Sequence, residues 1–328
     1  MFEYLKKLKP SPPETARLGD YIRKAYTKDP SIKPFPDVER ECAPPPPTLR
    51  RDRKNRIIYY IGTFNPPHQG HIALLDHVYR HSRDPDGFNA VAVIVMAHGE
   101  SWVRRKVRDD AKPLQLTFDQ RRRLLEDGLD NNAQTTDNMR SWLWVMPRDV
   151  NGWWAFQSKL AAACTKDGFA LEFHELLGPD YVKASGPQCY AWNGVVTSNI
   201  CRPADFDAGG GDPLIQLAEF EPWEQEPRRQ QSAEQQQGDD GQVDGADAEN
   251  EEDEAWMCYK QQKEGREEQQ YSIRYIRCKQ PDLDPDMSSS KLRRIIAESA
   301  PEELAENLRG LAPNPELLIQ VMQENTKE

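Results

Sequence analysis

The 328-residue chain has no apolar run long enough to span a bilayer, and its start, Met1-Phe2-Glu3-Tyr4-Leu5-Lys6, lacks the apolar centre of a secretory signal. A soluble protein of the cell interior, cytoplasmic or nuclear, is expected. It lacks any C-x-x-C pair: Cys42, Cys164, Cys189, Cys201, Cys258 and Cys278 are scattered. That argues against both a disulfide framework and a thiolate zinc site, so reduced and mostly buried thiols are expected. There is no H-E-x-x-H. His77 and His81 stand four residues apart in one helical region with His71, but no cysteine stands beside them in the sequence. They read as solvated or half-buried histidines, and no metal site is expected. His98 follows a strand end, and His174 falls inside a strand candidate with a structural reading.

A broad basic face is missing too. The net charge is −11, yet sixteen acidic residues and two basic ones fall between Phe206 and Ala255, which leaves +3 for the rest. A near-neutral body suits a small anionic substrate better than a nucleic acid. Neither a nucleic-acid nor a membrane partner is expected, and the acidic segment is a candidate surface for a protein partner.

What is present alternates between strand and helix patterns. Residues 1–55 read as a poorly ordered, Pro-rich leader, with short helices near Tyr4–Leu8 and Ala16–Tyr26 ahead of the extended run Pro44-Pro45-Pro46-Pro47. The basic run Arg50–Arg56 reads as a solvated flank, an import signal or a phosphate patch. Strands are expected at Arg56–Ile61, Ala90–Met96, Trp142–Met146, Ala170–Leu177, Gly194–Ile200 and Tyr271–Cys278. Helices are expected after His71, from the T-x-x-Q box at Thr117, over Trp154–Cys164, from Ser288, from the S-x-x-E box at Ser299, and over Glu316–Met322. The polar, acidic stretch 206–270 is expected to be a disordered insertion. The resulting fold class is α/β, a Rossmann-like parallel sheet with helices on both faces, forming one catalytic domain over 56–205 and 271–324.

Two separated clusters carry the chemistry. Gly62-Thr63-Phe64-Asn65-Pro66-Pro67-His68-Gln69-Gly70-His71 joins the first strand to a helix. A helix start offers N–H groups and the positive end of the dipole to an anion, and Gly70 permits close backbone approach. Met287-Ser288-Ser289-Ser290-Lys291-Leu292-Arg293-Arg294 opens a second helix with hydroxyls and a guanidinium fork suited to phosphate oxygens. Together they read as a two-sided clamp for a polyphosphate.

In these residues the chain resembles the H-x-G-H nucleotidylyltransferases, in particular the nicotinamide and nicotinate mononucleotide adenylyltransferases. Gly62–His71 is similar to the family's G-[ST]-F-[ND]-P-x-H-x-G-H, and Met287–Arg293 to its I-S-S-T-x-I-R, with Ser290 at the Thr position. Leu176-Leu177-Gly178-Pro179-Asp180 resembles L-x-G-x-D, the stretch from Val196 to Arg202 resembles V-x-x-R, and Leu308–Ile319 resembles the closing helix. The landmarks keep family order over about residues 56–324.

The resemblance implies transfer of AMP from ATP, with Mg²⁺, to a pyridine mononucleotide, giving NAD or its deamido form and pyrophosphate without a covalent intermediate. It implies His68, His71 and Arg293 as catalytic residues. Gly62, Thr63, Phe64, Gly70, Lys106, Gly178, Asp180, Ser288, Ser289 and Ser290 are implied around ATP, with Arg104 and Arg105 competing with Lys106 for the phosphate. An acceptor ring would stack on Trp153, Trp154 or Trp192, although a tryptophan at helical spacing is usually core. Trp192 also runs straight into the Gly194 strand, where many relatives have a helix.

Class I aminoacyl-tRNA synthetases share H-x-G-H, but the chain is short for an anticodon domain and no lysine precedes the serines at Met287–Lys291. Cytidylyltransferases differ in the second motif, and phosphopantetheine adenylyltransferases are shorter. The remaining alternatives are an adenylyl- or cytidylyltransferase acting on another phosphate acceptor and a catalytically silent nucleotide-binding scaffold protein.

Overall fold

The computed structural model describes residues 13–26, 34–35, 45–110, 112–130, 137–188, 193–209, 212–227, 253–261, 270–279 and 284–325. Along the chain these form β1 (Thr15–Arg17), α1 (Leu18–Tyr26), β2 (Thr48–Arg50), β3 (Lys54–Gly62), α2 (Gln69–Ser82), β4 (Ala90–Ala97), α3 (Glu100–Lys106), α4 (Phe118–Asp130), α5 (Asp137–Trp142) and β5 (Leu143–Val145). There follow α6 (Trp153–Lys166), β6 (Ala170–Leu177), β7 (Val182–Lys183), β8 (Gly186–Pro187), β9 (Gly194–Ser198), β10 (Glu224–Gln225), β11 (Glu254–Tyr259), β12 (Ser272–Arg277), α7 (Ser289–Glu298), α8 (Leu304–Asn307) and α9 (Pro315–Asn325).

The apolar runs become the middle of one eight-stranded sheet. Its order is β10-β11-β12-β9-β6-β3-β4-β5. The six strands from β12 to β5 are parallel. Renumbered among themselves along the chain, they run 3-2-1-4-5-6, the doubly wound α/β order, with the reversal between β3 and β6. The fold is Rossmann-like. Alternate side chains of β3 feed two cores: Ile57 and Tyr59 pack with Trp153, Phe156 and Phe173, while Ile58 and Tyr60 pack with Ile72, Leu75 and Val78 of α2. A third cluster joins α7, α8 and α9 to Leu116 and Leu124. Among the described residues no helix is long and apolar enough to cross a membrane.

Several expectations need correction. Part of the leader is folded: Leu18 and Ile22 of α1 are fully buried, Tyr26 packs edge-on against Phe156 of α6, and β1 pairs with β2. The helix expected at Tyr4–Leu8 lies outside the described residues. The acidic stretch is folded at both ends. Phe206 is fully buried against Trp223 and Tyr275, β11 extends the sheet antiparallel to β12, and β10 pairs antiparallel with β11 at its edge. Residues 228–252 and 262–269 lie outside the described residues. The basic run at Arg50–Arg56 is tied down: Arg53 pairs with Asp52 and Asp86, and Lys54 and Arg56 with Glu172. The Ser299 box opens no long helix. The Ser299 hydroxyl instead accepts from the Asn307 side chain at 3.0 Å, and only the four residues of α8 are helical.

Candidate active site

The loop from Gly62 to His68 leaves the carboxyl end of β3, beside the strand reversal, where doubly wound sheets bind ligands. It is clamped from three sides. The Arg121 guanidinium, fully buried on α4, donates to the Thr63 carbonyl at 2.7 Å, and Lys106 donates to the Thr63 hydroxyl at 3.0 Å. The Asn65 side chain donates to the Leu114 carbonyl at 2.7 Å and accepts from the Leu116 N–H at 3.0 Å. From α7, Ser289 donates to the Pro66 carbonyl at 2.8 Å and Arg293 to the Asn65 carbonyl at 3.0 Å. The loop is therefore preorganised rather than waiting on a ligand for its shape.

Phe64, at φ 47°, folds its ring back under Gly62, where an added Cβ would lie 2.7 Å from the ring. The ring is 1 % exposed and packs edge-on against His71 at 4.9 Å. Expected beside ATP, Phe64 instead forms the wall behind the imidazoles.

The two imidazoles lie against each other with centroids 3.6 Å apart and their planes tilted by 31°. The main-chain N–H of His68 donates to His71 Nδ1 at 3.1 Å. Because Nδ1 of His71 accepts, its neutral ring carries the proton on Nε2 and presents a donor. Burial, followed by the charges of Arg202 and Lys106, lowers the His68 pKa to about 3. Burial and the neighbouring His68 push His71 well below its ordinary value. Both rings are neutral donors at physiological pH.

The backbone of α2 departs from the simple anion-nest expectation. The N–H of Gln69 donates to the Leu311 carbonyl at 2.8 Å, that of Gly70 to Met287 Sδ at 3.0 Å, and that of His71 to the His68 carbonyl at 2.9 Å. The first N–H groups of the helix are thus committed to protein acceptors. An anion placed at this end would therefore be met by side chains rather than by the first N–H groups of the helix. Gly70 retains its importance through packing: its carbonyl accepts from Cys201 Sγ at 2.8 Å, and an added Cβ would lie 3.0 Å from His68 Nδ1.

The second cluster arrives at the same place. Ser288 caps α7 by accepting from the Lys291 N–H at 3.2 Å, leaving the N–H groups of the first turn at the loop. Ser290 accepts from Arg293 at 3.0 Å. Arg293 is 4 % exposed, and its remaining donors reach Asp110 at 2.6 Å and the Asn65 carbonyl. Expected as a phosphate fork, this guanidinium is a strut between α7 and the motif loop.

The more accessible positive charges lie elsewhere. Lys106 is the member of the Arg104–Lys106 trio that turns back to Thr63, whereas Arg105 stacks over Trp102 at 4.2 Å. Burial, then the nearby Arg293 and Arg202 charges, lowers the Lys106 pKa, with Asp180 opposing them. Arg202, in the loop after β9, was missed as a site residue. It donates to the Met287 carbonyl at 3.0 Å and reaches Asp180 at 3.4 Å, and its charge bears on both imidazoles. Asp180 follows Gly178 in the short turn after β6, at the edge of this group. Arg121 was missed too. Its signal was helical phase, since it shares the apolar face of Leu124, Leu125 and Leu129.

The tryptophans separate. Trp153 is 1 % exposed and locked against Tyr59 and Phe173, so it cannot stack on a ligand. Trp154, next along α6, is half exposed. Trp192 lies outside the described residues. A shallow basic hollow of about 310 Å³, lined by Arg53, Lys54 and Arg56, opens at the amino end of β3, away from these groups.

No protein-family model matches the chain, and no curated protein matches it. Among solved structures it is similar to nicotinic acid mononucleotide adenylyltransferase of Plasmodium falciparum complexed with APC, with 11 % identity and a TM-score of 0.40, covering 83 % of this chain and 96 % of that one. The same enzyme complexed with NaAD gives 12 % identity and a TM-score of 0.41 over the same shares. A putative nicotinate-nucleotide adenylyltransferase from Vibrio parahaemolyticus gives 14 % identity and a TM-score of 0.24, covering 38 % of this chain and 62 % of that one.

Proposed function

We propose that the chain is a nucleotidylyltransferase that moves AMP from ATP to the phosphate of nicotinamide or nicotinate mononucleotide, releasing pyrophosphate. One observation carries the reading. His68, His71, Lys106, Arg202 and the capped start of α7 converge on a single rigid loop at the reversal point of the sheet. That set is rich in donors and poor in nucleophiles, which suits an in-line displacement at phosphorus, where positioning and charge stabilisation do the work.

In this reading His71 Nε2–H and the His68 ring donate to oxygens of the α- and β-phosphates as charge builds on them. Lys106 and Arg202 neutralise the triphosphate, and the first turn of α7 with Ser288 holds its far end. Asp180 is the carboxylate at the edge of a cationic group, a donor set that fits a Mg²⁺ carried mainly by the phosphates rather than caged by protein. Such an ion would neutralise charge on the leaving pyrophosphate.

The test is pyrophosphate release from ATP against a panel of acceptor phosphates. Release dependent on nicotinamide or nicotinate mononucleotide, with the dinucleotide as product, supports the proposal. Release with other acceptors alone moves the activity to another nucleotidyl transfer, and none with any acceptor overturns it.

A further inference from the structure

We propose that His77, His81, Asp253 and Cys278 form a zinc site that fastens the β11 edge of the sheet to α2, apart from the candidate active site. His77 and His81 stand one helical turn apart on α2, with ring centroids 4.7 Å apart. In the sequence they have no partner, but the sheet supplies two. The register Glu254↔Arg277 between β11 and β12 sets Asp253 and Cys278 across from each other at the strand ends. Asp253 Oδ2 lies 3.2 Å from His81 Nε2 and 3.6 Å from His77 Nδ1. Ligand atoms of His77, Asp253 and Cys278 all lie within 4.8 Å of one another. A tetrahedral zinc with bonds of roughly 2.0–2.3 Å needs its ligands about 3.3–3.8 Å apart, so bringing His77, Asp253 and Cys278 onto one ion asks for movements of about 1 Å, and His81 would swing in from its contact with Asp253.

Two features point to a ligand rather than to a simple ion pair. His77 is 1 % exposed, and its Nε2 has no hydrogen-bond partner, a costly state for a buried ring nitrogen. The surroundings are also oriented as an outer shell. Asp253 Oδ1 accepts from the Lys279 N–H at 3.1 Å, which turns Oδ2 towards the histidines. The main chain of Cys278 is held by the Asn199 side chain through bonds of 2.6 and 2.9 Å. One thiolate, two imidazoles and one carboxylate form a borderline-soft, four-ligand set suited to zinc and balance its charge, with the thiol proton released on binding.

The test takes the full-length chain, stripped with a chelator and titrated with Zn²⁺ against a chromogenic competitor, and with Co²⁺ as a spectroscopic probe. One zinc per chain is expected, with a thiolate-to-cobalt charge-transfer band in the near ultraviolet. Cys278→Ser should abolish the band and Cys189→Ser should keep it. His81→Gln, at a partly exposed position, should weaken zinc at least about tenfold with an unchanged circular dichroism spectrum. Failure of the wild type to take up stoichiometric zinc, or an unchanged cobalt band in Cys278→Ser, overturns the site.

Discussion

Arg293 donates to the Asn65 carbonyl at 3.0 Å across 228 positions of sequence, and the same guanidinium holds Asp110 and Ser290. Removing it strips the motif loop of a buried strut and leaves the partners unpaired. Arg293→Ala should cost about 2–4 kcal/mol of stability as well as activity. Arg293→Lys should recover little of either, because one ammonium cannot span three acceptors in a fork. Urea unfolding read beside turnover separates the possibilities. Full stability with lost turnover would instead make this residue a direct phosphate contact.

His71 is held from behind, by the His68 N–H on Nδ1 and by the Phe64 ring, so its Nε2–H is already aimed. A donor of that kind acts on the transition state more than on bound ATP. His71→Ala should lower kcat by about 10²–10³ with a smaller change in KM for ATP. Turnover at the wild-type level in the folded variant would remove His71 from the mechanism.

How far this was legible depended on range. β6 spans Ala170–Leu177 as its apolar pattern predicts, and Ser288 caps α7 as its position predicts, because both signals are local. The β11 strand was not legible. Glu254-Ala255-Trp256-Met257-Cys258-Tyr259 ends a strongly acidic stretch, and it is the exposed edge of β12 that makes it a strand. The motif residues were readable as a set, but the division of labour among them was not. Whether a guanidinium meets a phosphate or a backbone carbonyl is decided by packing, which buried Arg293 and left Lys106 and Arg202 at the opening. The pairing of His77 with Cys278 likewise needed the sheet register.

Trp153 and Trp154 are adjacent in sequence and opposite in consequence. Trp153 fills the core between Tyr59, Phe156 and Phe173, so Trp153→Ala should destabilise the fold by about 3–5 kcal/mol. Trp154 is half exposed, and Trp154→Ala should leave stability within about 0.5 kcal/mol. If it stacks on the acceptor ring, its KM for the mononucleotide rises while KM for ATP stays put. Unchanged KM values for both substrates would leave Trp154 without that role.

Acid should unfold the protein through its neutral histidines. His68 has a pKa of about 3 when folded, against about 6.5 in an unfolded chain, so between those values only the unfolded state takes up the proton. Its contribution to stability is complete above about pH 6.5 and is lost as the pH falls towards 3, at up to about 1.4 kcal/mol per pH unit. His71 is shifted in the same direction and adds to the loss. His68→Gln removes one of these protons. The stability difference between pH 6.5 and pH 5 should therefore shrink by about 2 kcal/mol relative to wild type, as measured by urea midpoints at both values. An identical pH dependence in the variant would mean that His68 is already protonated in the folded protein, and a charged ring there would contradict its place as a neutral donor beside His71.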